Sequence, residues 1–219
     1  MEIRHKIFSI ESDNPHKPEY LVMAVTYDEE DLDDLGVDRT SWDFSEDYFG
    51  RDEYSKILAQ WKDPTLLREF YDGNIKFLSD SYWHNISKNR FVLDVTSSVI
   101  NIVHDFKQSC SNQELYSHFE PLSKRDESIR ARNESTNKHR ILKLKAKYGL
   151  ILDSIAFRIY AIEIEQNCYL ITGGAIKLVQ EMGDAPNTDL ELRKLKYVED
   201  ALDAAGICSM ATLLDYINY

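Results

Sequence analysis

The chain has 219 residues with 26 Lys and Arg against 38 Asp and Glu, a formal net charge of −12 at pH 7. That balance argues against a generally basic, nucleic-acid-coating surface, and nothing approaches the roughly 18 consecutive apolar residues of a membrane-spanning helix. The opening MEIRHKIFSI lacks the apolar stretch and cleavage site of a signal peptide, so the expectation is a cytoplasmic protein with no membrane partner.

Ile3 to Ile10 and Tyr20 to Tyr27 read as the two strands of a hairpin, with Pro15 and Pro18 in the connection interrupting any ladder. Residues 28–53 carry 12 acids against only Arg39 and Arg51, with Trp42, Phe44, Tyr48 and Phe49 interleaved, and read as a solvated loop. Tyr54, Ile57, Leu58 and Trp61 then share one helical face, and Asp63 is placed to cap a following helix with Pro64 in its first turn and Gly73 at its end. Val92, Val95, Val99, Val103 and Phe106 recur at spacings of three and four, which predicts an amphipathic helix. Residues 125–140 are polar and read as a loop.

The period then changes to two. In HRILKLKAK, Lys143, Lys145 and Lys147 alternate with Leu142, Leu144 and Ala146, so a strand there presents three ammonium groups on one side. Ile155 to Ile164 and Cys168 to Leu178 predict a hairpin around EQN, with Gly173-Gly174 marking a bulge or a close backbone approach. Thr188 and Glu191 fit a capping box for a helix whose stripe is Leu192, Leu195, Val198 and Leu202 and whose stop is Gly206; a short helix over Met210 to Ile217 follows. The class is α+β.

Cys110, Cys168 and Cys208 are odd in number and widely spaced, and are expected to be buried free thiols. The six histidines form no ligand-spaced pair, TGGAIK lacks the spacing of a phosphate-cradling loop, and no nucleophile elbow occurs, so neither a metal nor a cofactor is expected. Charge, however, is uneven. Residues 121–180 carry 11 basic and 6 acidic side chains, whereas residues 1–120 carry 12 and 24. Within the basic block Arg158 and Tyr160 lie two apart on one strand and Lys177 lies on its neighbour, beside Arg140 and the three alternating lysines. Fixed cations of this kind stabilise the charge that develops on phosphorus when RNA is cleaved without a metal, and Tyr or Lys can assist with protons. The plain alternative is that Arg158 and Lys177 reach from sheet to solvent while Tyr160 fills core.

From about Val92 to Ala205 the order of elements, with ELYSHFEPLS, FRIYAIEI, NCYLITGGAIKL and NTDLELRKLKYVEDAL in succession, resembles the RelE/HigB superfamily of type II toxins. The resemblance implies a small twisted antiparallel sheet with helices on one face, and an acidic extension over residues 1–90 preceding an α+β domain over 91–219. It further implies mRNA cleavage, often on the ribosome, with Arg158, Lys177 and Tyr160 as catalytic candidates and Arg140, Lys143, Lys145 and Lys147 holding phosphates. An acidic antitoxin is the implied protein partner, for which residues 28–53 could substitute internally. The competing expectation is a non-catalytic protein-binding chain with Trp42, Tyr48, Trp61, Tyr82 and Trp83 as contacts.

Overall fold

A computed structural model describes residues 1–12, 18–37, 50–79, 85–121, 139–145, 157–178 and 182–218. The strands are β1 (Glu2–Ile10), β2 (Tyr20–Thr26), β3 (Phe119–Pro121), β4 (Arg140–Lys145), β5 (Phe157–Glu165) and β6 (Cys168–Ile176). The helices are α1 (Glu29–Asp34), α2 (Glu53–Lys62), α3 (Pro64–Gly73), α4 (Ile75–Leu78), α5 (Lys88–Ser111), α6 (Leu115–His118), α7 (Pro186–Ala204) and α8 (Met210–Ile217).

The strands form one sheet in the order β1-β2-β6-β5-β4-β3. The class is α+β, as the sequence implies, but the sheet is mixed. β2 lies parallel to β6, from Leu21 opposite Cys168 to Ala24 opposite Ile171, while the other ladders are antiparallel. The N-terminal hairpin therefore enters the same sheet as the C-terminal strands. Asn167, at φ 67, supplies the left-handed residue that the tight β5–β6 turn requires.

Helices cover both faces of this sheet, not one. Val22, Ala24, Ile159 and Ile171 face a core with Ile57, Trp61, Leu67, Phe91, Val95 and Val99 from α2, α3 and α5. Leu21, Met23, Tyr160, Ile162 and Leu170 face a second core with Leu32 of α1, Leu195, Val198 and Leu202 of α7 and Met210 and Leu213 of α8. The reason is compositional: LVMAV and CYLI are unbroken apolar runs, the pattern of strands dry on both sides, whereas a half-solvated strand alternates.

Local signals explain most boundaries. Asp63 accepts from the amides of Thr65 and Leu66, and Pro64 opens α3 where no backbone donor is needed. The acidic stretch is not all loop: Asp28 and Asp31 form a reciprocal capping box that starts α1, and Leu32 and Leu35 are buried. Residues 38–49 of that stretch lie outside the described residues, as do Tyr82 and Trp83. The capping box expected at Thr188 and Glu191 does not form. Pro186 starts α7 two residues earlier, so Thr188 Oγ1 donates to the Met182 carbonyl at 2.5 Å and Glu191 is free for other work. Trp61, a candidate contact residue, is 1% exposed and packs against Phe157 with ring centroids 4.4 Å apart. Cys110 and Cys168 are buried, as expected, but Cys208 is exposed.

Candidate functional site: the cationic strand and the buried charges beside it

The β4–β5 register sets Lys145 opposite Arg158, Lys143 opposite Tyr160 and Arg140 opposite Glu163, so five of the predicted site residues lie along one ladder. For Arg140, Lys143 and Lys145 only this backbone placement is described. Lys147 falls outside the described residues, and Lys177 lies one residue beyond the end of β6, half-buried. Arg158 and Tyr160 do not stand on an open face. Tyr160 is 1% exposed and belongs to the core layer of Leu195 and Val198; Arg158 is 9% exposed, its guanidinium donating to the Phe157 carbonyl at 2.7 Å. Burial, with Glu191 nearby, pushes the Tyr160 phenol well above its ordinary range, which leaves it a poor proton relay near neutral pH.

The glycines on β6 lead to a cluster of buried charges that belongs to no sequence motif. The pairing moves from Tyr160 opposite Gly173 to Ala161 opposite Ile171, making Thr172 the extra residue of a bulge. Two elements press on the strand there. A Cβ on Gly174 would lie 2.7 Å from Ile57 Cδ1 of α2, and one on Gly173 would lie 2.9 Å from the Glu191 carboxyl carbon of α7. β2's ladder with β6 ends at Ala24, and side chains take over along that flank. The Tyr27 hydroxyl donates to the Thr172 carbonyl at 3.0 Å, and Asn187 Nδ2 donates to the Ile176 carbonyl at 2.7 Å.

At this junction Lys194 Nζ donates to Glu53 Oε2 at 2.9 Å and to Glu191 Oε1 at 2.8 Å, while Lys56 Nζ reaches Glu53 Oε1 at 2.6 Å. The side chains of Glu53, Glu191 and Lys194 are each 4% exposed or less, and the ammonium sits 5.6 Å over the Tyr27 ring. The two carboxylates are unequal. Glu53 is buried, which opposes its charge, yet Lys194 and Lys56 together hold its carboxyl below the ordinary range. Glu191 has one ammonium, and its Oε2 is buried with no hydrogen-bond partner among the described residues; burial pushes its carboxyl up to about 7 against the pull of Lys194. Burial alone would lower the Lys194 ammonium, but Glu191 and Glu53 hold it above its ordinary value.

One sequence signal for this cluster existed. Glu191 and Lys194 fall at helical spacing on the same stripe as Leu195, Val198 and Leu202, so they point inward, whereas Leu192 is only half-buried. Chemically the arrangement is a dry clamp tying α7 to α2, able to store a proton and closed to substrate. Away from it, the buried His139 has Nε2 2.8 Å from the Ile207 carbonyl. Among the described residues no three His, Cys, Asp or Glu side chains gather at metal-binding range, and no helix is long and apolar enough to cross a membrane.

Comparison of the chain with protein-family models, with curated proteins and with solved structures gives no match.

Proposed function

We propose that this chain is a non-catalytic interaction protein that acts by binding another protein. The observation carrying this reading is the placement of Arg158 and Tyr160. A group that stabilises or protonates a phosphodiester must touch it, and these side chains are 9% and 1% exposed beneath α7. The net charge of −12 disfavours a polyanion and suits a protein partner.

A second reading, the metal-independent mRNA endoribonuclease with RNA, ribosome and antitoxin as partners, is favoured by one specific feature: the ladder that sets Lys143 and Lys145 opposite Tyr160 and Arg158. RNA affinity measured across a salt series separates the two. Phosphate binding weakens steeply and log-linearly as salt rises, with a slope near −0.7 per phosphate neutralised on a single strand. Interaction through protein surfaces alone predicts no measurable RNA affinity at low salt. A steep slope that the double substitution Lys143→Glu, Lys145→Glu flattens would replace the proposal with the nuclease reading.

A further inference from the structure

We propose that Glu191 is the titrating element of a pH-sensitive latch that holds α7 against β6 and the start of α2. The geometry rests on an imbalance of donors. Glu53 has an ammonium for each oxygen, Lys194 for one and Lys56 for the other. Glu191 shares Lys194 with Glu53 through Oε1, and its Oε2, buried and without a donor among the described residues, is turned onto the backbone of Gly173. An ionised carboxylate there is a desolvated charge with an unanswered acceptor, which is costly; adding a proton removes the charge and makes that oxygen a donor.

The groups facing Glu191 come from every element packed on it: Lys194 on α7, Glu53 and Lys56 on α2, Tyr27 beyond β2, and Tyr160 on β5 with Arg158 beside it. The nearest cation, Lys194, is already divided between two carboxylates, and Lys56 is bonded to Glu53. The proton therefore goes to Glu191. The latch is closed when Glu191 is neutral. When it ionises, the desolvated charge draws water between α7 and the bulged strand and loosens that contact, while Leu195, Val198 and Leu202 and the Glu53–Lys194 pair still hold the helix. The inference is independent of whether the surface binds protein or RNA, because Glu191, Glu53 and Lys194 are buried.

The sign follows from linkage. A carboxyl whose folded value, about 7, lies above its unfolded value, 4.5, contributes stability that is complete below the unfolded value and is lost as pH rises through the folded one. Urea unfolding of the full chain is compared with Glu191→Gln between pH 5 and pH 8. The wild-type folding constant is expected to fall by roughly fifty- to a hundredfold relative to the variant over that range. Parallel curves for the two proteins would overturn the latch. Carbon-13 NMR of the glutamate carboxyl groups in the wild-type protein gives a second reading that does not depend on the variant folding. One glutamate is expected to titrate near pH 7, and finding none above pH 6 would overturn the proposal equally.

Discussion

The Glu191 carboxyl group fills the space that any side chain at residue 173 would need, its carboxyl carbon lying 2.9 Å from the position of a Cβ on Gly173. Helix and strand are in contact through the absence of an atom. Gly173→Ala therefore drives a methyl group into a buried carboxylate that is tethered to Lys194 and is not the loose end of a mobile chain. Overpacking at such a site costs about 1–3 kcal/mol, and displacing Glu191 from its ammonium adds to that. Denaturant unfolding is expected to show a loss of about 2–4 kcal/mol. Shortening the acid in the double variant Gly173→Ala, Glu191→Ala is expected to recover part of it, a coupling that a double-mutant cycle reads directly.

Lys194→Met leaves two buried carboxylates facing each other with Lys56 alone to answer them. Breaking a buried ion pair from one side costs about 3–5 kcal/mol, whereas replacing the whole set by neutral groups of similar shape is close to neutral. The expected order of urea midpoints is wild type near the triple variant Glu53→Gln, Glu191→Gln, Lys194→Met, with Lys194→Met well below both.

Glu53 contributes to the acid limb of stability. Its folded carboxyl value is depressed, so its contribution is present above the unfolded value of 4.5 and is lost as pH falls through the folded one. Glu53→Gln is expected to flatten the stability profile below about pH 4.5. It also releases Lys194 to serve Glu191 alone, so the loss between pH 5 and pH 8 shrinks in the same variant. A thermal-melt series from pH 3 to pH 8 reads both effects in one protein.

Tyr27→Phe tests the edge of β6 where β2's pairing ends. The hydroxyl is the donor that answers the buried Thr172 carbonyl, and its removal leaves that acceptor dry. A cost of about 1–3 kcal/mol in urea unfolding is expected, without change in the slope of the transition, because the ring remains to pack under Lys194.

Short-range signals were legible where one residue type has one local job. Asp63-Pro64 opens α3, Asn167 turns β5 into β6, and the three-and-four spacing of Val92, Val95 and Val99 marks α5. Gly173-Gly174 announced a close approach, and the structure supplies both a bulge and two helices pressing on it. What could not be read was pairing at long separation. Nothing local in Tyr20–Thr26 says that it lies parallel to β6, and the helices of both halves of the chain meet only because that pairing exists. The same gap hid the site. Arg158 and Tyr160 look like a solvent-facing guanidinium and phenol until α7 is laid over them, and Glu53 and Lys194, 141 residues apart, show no relation until the sheet is assembled. Of residues 28–53, expected to substitute internally for an acidic antitoxin, 38–49 lie outside the described residues. That span holds the buried Leu32 and Leu35 and the cluster carboxylate Glu53, so deleting it removes core and clamp together.

Expression of the wild type, Arg158→Ala and Tyr160→Phe in a bacterial host tests the proposed function on the residues that divide the readings. Tyr160→Phe keeps the ring that fills the core and removes only the hydroxyl, so the fold is expected to survive. Arg158→Ala removes a nearly buried chain and is expected to cost stability, in the range of about 1–3 kcal/mol, through lost packing as much as lost charge. For an interaction protein, growth and the integrity of mRNA are the same with all three. Growth arrest by the wild type that Tyr160→Phe relieves, at equal levels of folded protein, would require the hydroxyl to reach a phosphodiester. That in turn would require α7 to leave the sheet, which Gly173→Ala should then promote and not hinder.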